Sequence, residues 1–64
     1  MRRTEFWRRM GLALGPQYAA SWASDYVLAE LDGRTVDQAL AQGEDAKLVW
    51  RAVHAELRLP ASTR

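Results

Sequence analysis

Four residues near the C-terminal end of the sequence have the types and spacing that phosphate recognition requires. Lys47, Arg51, His54 and Arg58 recur at i, i+4, i+7 and i+11, which on a helix sets them within about 60° of one another. A cationic stripe of this kind attracts a polyanion and releases its counterions on contact. The arginine-rich start of the chain, Arg2, Arg3, Arg8 and Arg9, is a second source of cations for the same purpose. The alternative is a solvated helix face whose cations, Arg58 above all, sit favourably near the negative end of the helix dipole.

Other chemistries find little to work with. Glu44 and Asp45, and Asp32 with Asp37, pair carboxylates, but general acid–base work needs one of them in an apolar pocket. Both pairs fall at expected helix ends, where capping and solvation account for them. Ser21, Ser24, Ser62 and Thr63 have no histidine suggestively placed and no strand-to-helix elbow. There is no cysteine, so neither a disulfide nor a thiolate is available, and one histidine cannot make a zinc site of the usual kind. Gly11, Gly15, Gly33 and Gly43 are dispersed and form no phosphate loop. The expectation is a protein that is not an enzyme, with no cofactor, no metal and no small-molecule substrate.

Length and composition narrow the class further. Sixty-four residues allow one small domain, read as residues 1–59 with residues 60–64 as a flexible tail. An apolar content of 48% against 27% charged residues argues for a folded chain. No apolar run approaches the roughly 20 residues of a membrane span and no signal-peptide pattern opens the chain, so a cytoplasmic location without a membrane partner is expected. Net charge is +1, but it is segregated. Residues 1–9 carry +3, residues 10–45 carry −5 with Arg34 as their only cation, and residues 46–64 carry +3. Either the basic ends lie against the acidic middle and cancel, or they form one outward surface.

The elements that would hold these residues are helices, and the expected fold is all-α, a compact bundle of four short helices. Gly15-Pro16, Asp32-Gly33-Arg34, Gly43 and Pro60 punctuate the chain. The first helix is expected over Glu5–Leu14 with Thr4 as N-cap, Phe6, Met10, Ala13 and Leu14 inward, Trp7 beside them, and Glu5 paired with Arg9. The second is expected from Pro16 or Gln17 to Leu31, with Tyr18, Ala19, Trp22, Ala23, Tyr26 and Ala29 as an aromatic stripe. The third, Val36–Gln42, starts on a Thr35-x-x-Gln38 capping box and buries Val36, Ala39 and Leu40. The fourth follows Asp45 and runs to Leu57 or Leu59, burying Ala46, Val49, Trp50, Val53 and Leu57, with Leu48, Ala52, Ala55 and Leu59 widening the stripe. No strand is expected, because clean alternation is absent. The core is thus assigned to Phe6, Trp7, Met10, Trp22, Tyr26, Leu40, Val49, Trp50 and Val53. A core this small is marginal, which keeps dimerisation open.

The last two helices loosely resemble a helix-turn-helix: Ala39, Gly43, Val49 and Ala52 match its small, turn and core positions. Gln38, Gln42 and Glu44 depart from it, falling where apolar residues belong. In that register Trp50 would face the nucleic acid, whereas its apolar stripe places it in the core.

Several segments together resemble a known family. They are Arg2-x-Thr4-Glu5-Phe6-Trp7-Arg8-Arg9-Met10, Gly15-Pro16-x-Tyr18-Ala19-x-Ser21-Trp22-Ala23, Val27-Leu28-x-Glu30-Leu31-x-Gly33-Arg34-Thr35-Val36, Ala39-Leu40-Ala41-x-Gly43, and Val49-Trp50-Arg51-Ala52-Val53. The chain resembles, over nearly its whole length, the short actinobacterial proteins grouped as domain of unknown function 3046. The resemblance implies no activity, cofactor or catalytic residue. It implies a gene context near recombination and repair genes, which favours nucleic acid by association only. Ala46 departs from the proline frequent there in the family, a change that touches only the start of the fourth helix.

Two functions follow from these residues. One is a small interaction protein that binds a protein partner or itself, motivated by the small core and the aromatic surplus. The other is a nucleic-acid-binding module using Lys47, Arg51, His54 and Arg58, joined by Arg2, Arg3, Arg8 and Arg9. One feature discriminates: whether the two basic ends merge into a single patch or are neutralised by the acidic middle.

Overall fold

The structure, a computed structural model, describes residues 1–60. Four helices dominate it: α1 Arg3–Leu14, α2 Pro16–Asp25, α3 Val36–Ala41 and α4 Ala46–Leu57. Between α2 and α3 lies a small hairpin. Its strands, β1 Val27–Leu28 and β2 Arg34–Thr35, pair antiparallel, Val27 with Thr35 and Leu28 with Arg34, around a 3₁₀ turn at Ala29–Leu31. The fold is all-α apart from this two-by-two-residue sheet.

The hairpin corrects two expectations, a second helix reaching Leu31 and the absence of strands. The helix stops at Asp25 because the sequence there favours its end. Ser24 donates its hydroxyl to the Ser21 carbonyl and to the Asp25 carboxylate, competing with the backbone, and a carboxylate at the negative end of the dipole is unfavourable. Tyr26 is extended, at φ −90 and ψ 120. Leu28 and Leu31, three apart, satisfy a helical pattern, yet the hairpin buries both. Asp32 and Gly33 take positive φ to turn the chain, and the Gly33 N–H closes on the Leu28 carbonyl at 3.0 Å.

The first helix begins at Arg3, so Thr4 lies in its first turn instead of capping it, and Arg2 is the N-cap without a side-chain bond. Arg3 explains the added residues. Its guanidinium donates to the Leu40 carbonyl at 2.8 Å, satisfying a terminal acceptor of α3 and anchoring the start of α1. Gly15 joins α1 to α2 at φ 91 and ψ 136, a conformation open mainly to glycine. Its carbonyl accepts from the amides of Tyr18 and Ala19.

The caps of α3 and α4 match the sequence pattern. Thr35 Oγ1 accepts from the Gln38 amide at 3.1 Å, and Gln38 Oε1 accepts from the Thr35 amide at 2.9 Å. A Schellman turn on Gly43 ends the helix, with the Gly43 and Glu44 amides on the Leu40 and Ala39 carbonyls. Asp45 then caps α4 through the Lys47 amide.

Phe6, Met10, Trp22, Leu40, Val49, Trp50 and Val53 are buried, and Trp7 is half-buried against them. Phe6 links α1 to α4, its ring meeting Trp7 and Trp50 edge to face at centroid distances of 5.2 and 6.2 Å. Two expectations about packing fail. Tyr26, assigned to the core, is 43% exposed because α2 ends before it. Leu48 and Ala55 are exposed, and so are Ala13 and Tyr18. Trp50 follows its apolar stripe into the core, away from the surface that a helix-turn-helix register gives it. Of the expected tail, residues 61–64 lie outside the described residues.

Candidate nucleic-acid interface

A groove of about 630 Å³ opens between the start of α1 and the outer side of α4. Arg9 comes from one basic end of the sequence, and Lys47, Arg51 and Arg58 come from the other. Met1, Trp50, Ala55 and Leu59 supply apolar surface, and among the described residues no carboxylate lines the groove. The α-helix of Ala46–Leu57, started by Asp45 and kept regular by its buried apolar face, spaces Lys47 and Arg51, whereas Arg58 lies just past its end.

The cations differ in how free they are. No described carboxylate pairs with Lys47, Arg51 or Arg58, all of which are exposed. Arg9 donates Nε to Glu5 at 2.8 Å, while Arg8 grips the same carboxylate through Nε and Nη2 at 2.9 and 2.7 Å. Hydrogen bonds from Arg8 and then Arg9 hold the Glu5 carboxyl down at about 2, against an ordinary 4.5. One carboxylate between two guanidiniums leaves this cluster cationic.

His54 does not face outward with its stripe. It is buried and lines the groove from within, with Nε2 2.9 Å from the Pro60 carbonyl and its ring edge against Trp50. The cause is a turn that the sequence conceals. Arg58 adopts φ 54 and ψ 46, and the Leu59 amide bonds the His54 carbonyl, a Schellman turn with arginine where glycine is usual. That turn folds Leu59 and Pro60 back over the imidazole. The remaining basic residues fall elsewhere. Arg3 is bound to α3, Arg8 to Glu5, and Arg2 is exposed at the N-cap, none of them lining the groove.

The acidic middle does not neutralise this surface. Its only cation, Arg34, draws in Glu44 at 3.0 Å while also binding Gln42 Oε1 and the Leu31 carbonyl. Asp45 caps α4. Glu44 and Asp45, one of the two carboxylate pairs considered for catalysis, therefore serve a clamp and a cap. Among the described residues no group of acidic, histidine or cysteine side chains is placed to hold a metal ion.

Two features were not foreseen. The Trp50 Nε1–H is buried without a hydrogen-bond partner among the described residues, in a side chain that borders the groove. A donor left so costs about 1–3 kcal/mol relative to one satisfied, and only the three-dimensional packing reveals it. The second is a small hollow lined in part by Trp22 and Tyr26, two residues that read in sequence as core.

Among the described residues no helix is long and apolar enough to cross a membrane. No curated protein and no solved structure matches the chain. Over residues 1–62 it matches the family described as "Protein of unknown function (DUF3046)", and it belongs to that family.

Proposed function

We propose that this protein is a non-enzymatic nucleic-acid-binding module that holds the phosphate backbone in the groove between α1 and α4. The observation that carries the reading is the meeting of the two basic ends. Arg9, Lys47, Arg51 and Arg58 border one groove with no acidic residue among its described lining. Three of these cations have no described carboxylate partner. Phosphate recognition needs such a row, because each neutralised phosphate releases condensed counterions.

His54 leaves the set of direct phosphate contacts proposed from sequence, since it is buried against Pro60. Its place is structural: it fixes the turn that sets Arg58 and Leu59 at the groove's edge. Arg2, Arg3 and Arg8 contribute to the potential around α1, not to the groove itself. The phosphate backbone is the expected target, because the polar lining of the groove is a row of cations.

Fluorescence anisotropy at low salt, with labelled single-stranded and duplex DNA and RNA, tests the reading. Binding is expected for the native chain and lost in Arg51→Glu, with the circular dichroism of the two proteins equal. No binding to any of these probes, or binding untouched by Arg51→Glu, overturns it.

A further inference from the structure

The hollow beside α2 has a chemistry opposite to that of the groove. It measures about 200 Å³ and is lined by Tyr18, Ser21, Trp22, Asp25 and Tyr26, none of which borders the cationic groove. Tyr18 and Tyr26 are 59% and 43% exposed, a large aromatic surface for a chain of 64 residues to leave in water. Trp22 stacks on Tyr26 with centroids 4.9 Å apart and planes 11° from parallel. Trp22 thus covers one face of the Tyr26 ring and leaves the rest of that ring open.

Carboxylates frame these rings. Asp25 lines the hollow, and Glu56 of α4 accepts the Tyr26 hydroxyl at 2.9 Å. That bond raises the phenol's pKa, first through the hydrogen bond and then through the carboxylate's charge. Tyr26 therefore stays neutral. No described cation pairs with Asp25 or Glu56. Electron-rich ring faces beside an unpaired carboxylate suit an organic cation, through cation–π attraction and an ion pair together. The volume is below the roughly 300–1,000 Å³ usual for whole small-molecule ligands and suits one side chain. A guanidinium fits the combination best, because it is planar, stacks on aromatic rings and bonds a carboxylate through two N–H groups.

We infer that the hollow formed by Tyr18, Trp22, Asp25 and Tyr26 is a docking site for an arginine side chain of a protein partner. The site commits to arginine because charge and ring geometry both select it, and it does not depend on nucleic-acid binding by the groove.

The test uses the full chain in solution, with its amide, indole and tyrosine ring resonances followed by NMR. The probe is N-acetyl-arginine-N-methylamide. Its citrulline analogue has the same shape without the charge, and its lysine analogue has the charge without the plane. Saturable shifts confined to residues 18–26 and Glu56 are expected with the arginine probe. Roughly five- to tenfold weaker binding is expected with citrulline, and for the arginine probe on Asp25→Asn. Tyr18→Ala, at an exposed position, is expected to weaken the arginine probe as well while leaving oligonucleotide anisotropy unchanged. Equal binding of citrulline or of lysine overturns the inference, as does full binding by Asp25→Asn. Shifts of the same resonances on raising protein concentration without probe assign the hollow to a second copy of the chain and overturn it too.

Discussion

The groove makes a quantitative prediction about salt. Lys47, Arg51 and Arg58 are exposed and without a described acidic partner, whereas Arg9 already shares Glu5 with Arg8. Three charges are therefore free to meet phosphates. For duplex DNA the slope of log affinity against log salt is about −0.9 per neutralised phosphate, which gives about −2.7 here, and about −2.1 on a single strand at −0.7 each. Between about 50 and about 200 mM KCl the duplex affinity should then fall roughly 40-fold. Arg51→Gln removes one of the three charges without inserting a repulsive one, so its slope should be about −1.8 and its loss over the same range roughly 12-fold. The assay is anisotropy of a labelled duplex over a KCl series with native and variant protein. A native slope shallower than about −1, or a slope that Arg51→Gln leaves unchanged, refutes the assignment of these side chains to phosphates.

Three further outcomes follow from the same contacts. Thr35→Ala removes the side-chain half of the α3 capping box and should lower unfolding free energy by about 1 kcal/mol in urea titration. Glu5→Gln reads a depressed carboxyl: the stabilisation by Glu5 is fully present above the ordinary 4.5 and is lost as pH falls through about 2. The gap in melting temperature between native and Glu5→Gln protein should therefore be constant above pH 4.5 and close between 4.5 and 2, by thermal circular dichroism at each pH. Arg34→Gln breaks bonds to Leu31, Gln42 and Glu44 and should cost about 1–2 kcal/mol of stability while leaving DNA affinity unchanged, measured on one preparation by urea titration and anisotropy.

Local signals were legible where one residue decides one bond. The Thr35–Gln38 box, the Asp45 cap, the Gly43 end and the Glu5–Arg9 pair could all be read from the chain, because capping and i,i+4 chemistry act within a few residues. The aromatic stripes of α1 and α4 located Phe6, Met10, Val49 and Trp50 for the same reason. What failed depends on chain reversal. Tyr26 and Ala29 continue the helical spacing of Tyr18, Ala19, Trp22 and Ala23, so periodicity extended α2 six residues too far, where the chain instead turns into a hairpin and leaves both exposed. Tyr26 left the core with that error. His54 had the angular position of an exposed cation, and only the left-handed Arg58 brings Pro60 back onto it. Arginine at that position gives no warning, where a glycine would have. The groove was half legible: its α4 row follows from spacing, but that Arg9 joins it and Arg3 does not is decided by how α1 packs against α3 and α4.

The distribution of charge is the strongest argument that the groove is a binding surface and not incidental. Lys47 and Arg51, one helical turn apart, repel each other, at a cost of about 0.2–0.5 kcal/mol for such a pair. A protein of 64 residues has a total stability of only about 3–10 kcal/mol, so small penalties matter. Relief was available in the same sequence. Six carboxylates lie in residues 10–45, and the fold places Glu44 on Arg34 and Asp45 on the start of α4 while bringing none to the groove. A surface that gathers like charges is a burden to the free protein. Binding of an anion to the folded chain alone would turn that burden into stabilisation, growing with ligand concentration by mass action. Under the proposed function the groove would be where this small domain gives up stability for affinity, and the clamp at Arg34 is where it recovers some of it.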